Sequence, residues 1–219
     1  RPPKVKEGEP TPPPAYEVLA TSVNVIARAE APLPLGVTDN VNVELDTRLD
    51  NRFLDLRRAH VNAMFRLRGK VLQYGREHLI TEGFVETHTP KIVATATEGG
   101  ADLFPMQYFD RPAFLNQSPQ LFKQLCMSGG LERVFEIGPA FRAEKSDTYR
   151  HLAEFISFDI ECSWANDDDV MGVLERMLHH IWKSVAEDEE SQDLIATINA
   201  FRAEQGEELV EVIVPELPF

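Results

Sequence analysis

The sequence predicts an α+β fold in which an antiparallel sheet is flanked by helices. Three observations predict it. Two stretches, Asp46 to Ile80 and Asp167 to Ala186, carry apolar residues near helical spacing. Between them lie four short runs, FPMQYFD, PAFLNQSP, RVFEIGPAFRAE and AEFISFDIECSW, whose lengths suit antiparallel pairing better than strand–helix–strand units. Neither GxGxxG nor GxxxxGK[ST] occurs, so nothing supports a Rossmann or P-loop site.

Taken in order, residues 1 to 14 (RPPKVKEGEPTPPP) read as a linker, because each proline fixes φ and removes a donor. This polar start does not resemble a signal peptide. Tyr16 to Ala29 alternates and is β-branched, which reads as one or two strands; Pro32, Pro34 and Gly36 then break the pattern. An isolated strand pair is marginal in water, so partners are expected upstream and the chain is expected to be cut at this end. From Asp46 a helix is expected, with Val61, Met64, Phe65, Val71, Leu72 and Leu79 on its apolar side and an end near Thr81–Gly83. A strand follows over Phe84 to Pro90. The second helix opens on Asp167, Asp168 and Asp169, favourable at the positive end of the helix dipole. Val170, Leu174, Met177, Leu178, Ile181 and Val185 are its expected apolar stripe. A further short helix and a strand running to Phe219 complete the reading, and the apolar ending suggests a cut through a domain.

Composition narrows the class. The chain has 219 residues, 43% of them hydrophobic and 26% charged, the balance of a soluble globular protein. No run approaches the ~20 consecutive apolar residues of a membrane span. A net charge of −14 speaks against a broad nucleic-acid footprint but says nothing of local patches. Cys126 and Cys162 lie far apart and form no CxxC, so two reduced, mostly buried thiols in a cytoplasmic protein are expected. His179 and His180 are adjacent on a helix and face different directions, which reads as structural rather than metal-binding. The three aspartates at 167–169 lack the glycine and glutamate spacing of a calcium loop.

Four pieces between Phe84 and Glu161 carry more: GFVETHTPKI, TEGGADLF, LNQSPQLFKQ and FRAEKSDTYRHLAEFISFDIE. In this order and spacing they resemble the aspartyl-tRNA synthetases, a class II aminoacyl-tRNA synthetase family. GFVETHTP resembles motif 1, and FRAE with RHLAEF resembles motif 2. The resemblance implies that residues 46–219 are the N-terminal part of a class II catalytic domain. Residues 15–45 would then be the remnant of an N-terminal OB-fold and its hinge. It implies activation of aspartate with ATP and transfer to tRNA, in a cytoplasmic homodimer with Pro90 near the interface.

Attack on the α-phosphate of ATP calls for a fixed positive charge that matches phosphate oxygens, a task for which arginine suits better than lysine. Arg142 matches the motif 2 arginine; on residue type alone, a surface salt bridge with Glu144 is an equal reading. The resemblance places Glu144 near ATP and the tRNA end, Arg150 and His151 near the γ-phosphate, and Phe155 against adenine. Free aspartate carries one ammonium and two carboxylates, and a buried site must pair them. Lys123 matches the lysine that grips the side-chain carboxylate. Ser118 and Gln120 match neighbours that hydrogen-bond the amino acid, and Asp159 matches a carboxylate near the ammonium. Glu98, with Gly99 and Gly100, matches a mobile loop over the amino acid; by residue type, TEGG is also an ordinary turn.

The family's third motif, a Gly-rich segment ending in an arginine, has no counterpart here, and Mg²⁺ ligands are expected beyond residue 219. The segment alone is therefore expected to be inactive. Two alternatives stand beside the main reading. One is an asparagine-related class II ligase, either asparaginyl-tRNA synthetase or a synthetase-like asparagine-making enzyme. Lys123 argues against asparagine as substrate, but not against the asparagine-making relative. The other is a non-catalytic synthetase-like binding module.

Overall fold

The computed structural model describes residues 19–38, 42–95, 103–146, 148 and 151–218. In chain order the elements are α1 (Leu45–Asp50), α2 (Arg52–Asp55), α3 (Ala59–Thr81), β1 (Val85–Glu86), β2 (Ile92–Val93), β3 (Pro105–Tyr108), β4 (Arg111–Leu115), α4 (Gln120–Ser128), β5 (Arg133–Phe141), β6 (Glu154–Cys162), α5 (Asp167–Glu187) and α6 (Glu189–Gln205). One sheet has the order β1-β5-β6 and the other β2-β4-β3. The long element is the β5–β6 ladder, antiparallel and unbroken from Arg133↔Cys162 to Phe141↔Glu154.

Side chains alternate across a strand, so this register sorts them. One face presents Phe135 and Ile137 of β5 with Phe158, Ile160 and Cys162 of β6. Against it pack Tyr74 and Leu79 of α3, Val173, Met177, Ile181 and Val185 of α5, and Ile195 of α6. The other face presents Glu136 and Ala140 of β5 with Phe155, Ser157, Asp159 and Glu161 of β6. Hydrophobic burial on one side thus fixes polar chemistry on the other.

Both C-terminal helices begin on a side-chain cap. Asn166 and Asp169 form a reciprocal capping box at 3.0 Å each way, which accounts for the acidic start of α5. Asp188 caps α6 by accepting from the Ser191 amide at 2.9 Å and hydroxyl at 2.7 Å. Those bonds, with Tyr74 and Lys70 nearby, hold its carboxyl down to about 2.

Several expectations are corrected. The helix from Asp46 is three pieces, broken around Asn51 and again at Leu56–Arg58. The break surrounds Asp55, fully buried among Arg48 at 2.8 Å, Arg52 at 2.6 Å and Arg58 at 3.9 Å. Burial alone would raise that carboxyl; the arginines outweigh it and hold it below its ordinary range. Met64 and Phe65 are exposed, and His60, Tyr74 and Gly75 join the buried side of α3. On α5 the buried row is Val173, Met177, Ile181 and Val185, each one turn apart, while Val170 and Leu174 face solvent. The strand at 84–90 shrinks to two residues, and its pairing to β5 is parallel. Residues 19–29 form no strand, since no described segment pairs with them, and Val23, Val25 and Ile26 are exposed. Helix α6 has 17 residues, longer than expected, and 207–218 is not a strand; the Asn199 side chain holds the Val210 backbone at 2.7 and 2.9 Å instead. Helix α4 falls between two of the expected strands, where no helix was expected. Both cysteines are free and half-buried. Burial pushes the Cys162 thiol up. Residues 1–14 and the first part of the strand expected from Tyr16 lie outside the described residues.

Gly75 marks where α3 meets the sheet. A Cβ there would sit 2.9 Å from Phe158 Cζ and 3.3 Å from Ile181 Cδ1. Both neighbours are packed into the core, so Gly75→Ala should overpack it. We expect a loss of about 1–3 kcal/mol in denaturant unfolding. An unchanged or raised midpoint would show that the helix moves away from the sheet at no cost.

Candidate functional site

The polar face of β6 carries two groups of side chains, one near each end. At the β5 terminus the strands run into Arg142 and Ala153, joined by Arg142 N donating to Ala153 O at 3.0 Å. Beside this junction Arg142, Glu144, His151, Leu152 and Phe155 line a cleft of about 280 Å³. The Arg142 guanidinium lies over the Phe155 ring, 5.4 Å from its centroid. Cation–π stacking of this kind orients a guanidinium. Glu144 and His151 are exposed, and His151 Nδ1 lies 2.6 Å from Thr148 Oγ1.

The second group lies four to six residues along β6, ~13–20 Å away at about 3.3 Å per residue. Helix α4 crosses this end and delivers Lys123, only 1% exposed. Its Nζ donates to Ile160 O at 3.1 Å and lies 3.2 Å from Glu161 Oε2 and 3.6 Å from Asp159 Oδ1. A buried ammonium must be compensated, and here two carboxylates and a carbonyl do so. Gln120 Nε2 donates to the same Glu161 oxygen at 2.9 Å. Ser118 Oγ accepts from Gln120 N at 3.2 Å and so fixes the start of α4. The Ser157 hydroxyl donates to Asp159 Oδ2. The result is a small field of alternating sign, one cation against two partly exposed anions, on one sheet face.

The structure therefore brings Ser118, Gln120, Lys123 and Asp159 together, and separately Arg142, Glu144, His151 and Phe155. Glu98 and Arg150 lie outside the described residues. Pro90 is exposed, between β1 and β2, and its carbonyl accepts from Asn116 Nδ2 at 3.0 Å.

The family profile for class II tRNA synthetases (D, K and N) matches residues 44–213. The chain belongs to this family. Among relatives, the aspartate–tRNA(Asp/Asn) ligase of Archaeoglobus fulgidus is 58% identical over 175 residues, which is 80% of this chain and 41% of that protein. The aspartate–tRNA(Asp) ligase of Picrophilus torridus is 59% identical over 159 residues, 73% of this chain and 38% of that protein. Among solved structures, the asparaginyl-tRNA synthetase of Pyrococcus horikoshii, complexed with asparaginyl-adenylate, aligns with a TM-score of 0.65 at 32% identity. The alignment covers 74% of this chain and 37% of that one. The chain thus spans less than half the length of these class II relatives, whose fold it shares in part.

Glu161 was missed as a candidate, although its signal was present. The alternation in FISFDIE puts it two residues beyond Asp159, hence on the same face. Glu136 was missed too. Only 2% exposed, it accepts from Thr89 N at 2.9 Å and pairs with Lys91, ties that link segments 45 and 47 residues apart and that no local pattern reveals.

Proposed function

We propose that the full-length protein is an aspartate–tRNA ligase and that this chain supplies the larger part of its amino-acid and ATP contacts. The observation that carries the reading is Lys123, almost fully buried, with Asp159 and Glu161 on the adjoining strand. Free aspartate presents the complementary charges. Its ammonium suits Asp159 and Glu161, and its side-chain carboxylate suits Lys123. Ser118 and Gln120 hydrogen-bond the amino acid, and Glu98 belongs to the loop that closes over it. ATP lies along the other cleft, with adenine on Phe155 and phosphate oxygens on Arg142, Arg150 and His151. Glu144 is positioned near ATP and the tRNA end.

The substrate's α-carboxylate is the nucleophile. It attacks the α-phosphorus of ATP, the bond to the bridging oxygen breaks, and pyrophosphate leaves with aspartyl-adenylate remaining. The tRNA hydroxyl then attacks the aspartyl carbonyl carbon and loses its proton, the acyl–phosphate bond breaks, and AMP leaves. No protein nucleophile is required, and the chain's contribution is positioning and neutralisation of charge. Mg²⁺ accompanies ATP in such chemistry and neutralises phosphate charge. We further propose the boundaries stated above: linker 1–14, barrel remnant and hinge 15–45, catalytic segment 46–219. A cytoplasmic setting fits the two free thiols, and no helix among the described residues is long and apolar enough to cross a membrane.

Charge pairing at Lys123 alone does not exclude asparagine. Lys123 already has Glu161 at 3.2 Å, so a neutral amide would not leave it unpaired. Selectivity therefore depends on whether a substrate carboxylate competes with Glu161 for that ammonium.

In the full-length protein, Lys123→Ala should raise the aspartate KM and lower kcat/KM by on the order of 100-fold in aspartate-dependent pyrophosphate exchange. Unchanged exchange would remove Lys123 from the site. The proposed dimer places Pro90 near a two-fold interface. Light scattering should give twice the monomer mass at micromolar concentration, and a monomer there would contradict it.

A further inference from the structure

Asn116, at the turn between β4 and α4, joins three segments. It is 1% exposed. Its side-chain amide donates to Pro90 O at 3.0 Å, and its Oδ1 accepts from Ser118 N at 3.2 Å. Its backbone N donates to Lys91 O at 2.9 Å, and its backbone O accepts from Phe141 N at 3.1 Å. The loop it grips is itself fixed from β5, because Glu136 accepts from Thr89 N and pairs with Lys91. One residue therefore ties the 89–91 loop, the first turn of α4 and the end of β5 next to Arg142.

These four bonds divide by origin. The two main-chain bonds survive any substitution, and one of them serves the strand end beside Arg142. Of the two side-chain bonds, that from Nδ2 holds the 89–91 loop and that to Oδ1 serves the start of α4. Asn116 Oδ1 holds Ser118 in an Asx turn, Ser118 Oγ receives Gln120 N, and Lys123 N donates to Pro119 O at 2.9 Å one turn later. The buried side chain thus sets the origin of the helix that delivers Gln120 and Lys123, while the ATP cleft depends on the backbone.

We propose that Asn116 is a positioning residue for amino-acid recognition, acting through the start of α4 on Lys123 and not on the ATP side. This rests on the aspartate-activating reading above. The test is pyrophosphate exchange by the full-length protein, with KM for aspartate and for ATP measured separately. Asn116→Ala should raise the aspartate KM about 10-fold, the scale of one lost hydrogen bond, with the ATP KM within about 2-fold of wild type. Asn116→Ser, whose hydroxyl can accept from the amide two residues on, should bring the aspartate KM back to within about 3-fold. General loss of structure would lower kcat through the active fraction and move neither ratio. An unchanged aspartate KM, a parallel rise in the ATP KM, or no recovery with serine overturns the proposal. Should Asn116→Ala fail to fold, Asn116→Cys against Asn116→Ser reads the same split, since the thiol is near in size and a weak acceptor. Wild-type protein without aspartate-dependent exchange refutes the proposed function itself, and the role of Asn116 falls with it.

Discussion

The β5–β6 register is the constraint on which the rest depends. A slip of one residue would turn Phe158 and Ile160 toward the polar side and bury Asp159 and Glu161 against α3 and α5. The hydrophobic side forbids that slip, since Phe135, Phe158 and Ile160 pack with the helices only in the observed phase. The polar residues contribute little to specifying this arrangement. They are placed by what lies behind them, which is how a core selected for packing can hold a lysine and two carboxylates in a defined geometry.

Charge on the polar face follows from the same placement. Lys123 arrives from a helix, while Asp159 and Glu161 stand two residues apart on a strand, so charges from two distant parts of the sequence meet, with both carboxylates within 3.6 Å of the lysine nitrogen. Such a cluster is costly to assemble without a partner, and its carboxylates keep some solvent contact. A zwitterionic ligand with a second carboxylate can exchange with these internal contacts one for one. The overall charge of −14 does not describe this site. The cleft at the end of β5 carries Arg142 beside an aromatic ring, and the helical region around Asp55 gathers three arginines.

Much of this was legible because motifs with chemical content fall on regular elements. Lys123, Asp159, Arg142 and Phe155 could be named from QSPQLFKQ, FRAE and FISFDIE, and parity along β6 explains why Phe155 and Asp159 share a face. Other features were not legible. Helix α4 has only nine residues and begins just after Pro119, so its periodicity is too short to separate from a strand and turn. On α5 two neighbouring rows are both apolar, and only packing against the sheet chooses Val173 over Val170. The break around Asp55 is a tertiary effect of three arginines converging on one buried carboxylate, which helix propensity does not register. Strand character at 19–29 needed a partner that no described segment supplies.

The central claim is that the Lys123, Asp159 and Glu161 cluster reads a side-chain carboxylate on an amino acid. Calorimetric titration of the full-length protein with aspartate and with asparagine tests it most directly, because binding is read without the later chemistry. Aspartate should bind on the order of 100-fold tighter, the worth of a charged contact at Lys123 beyond what Glu161 already provides. Equal affinities, or tighter binding of asparagine, would mean that Lys123 stays paired with Glu161 and does not select the substrate.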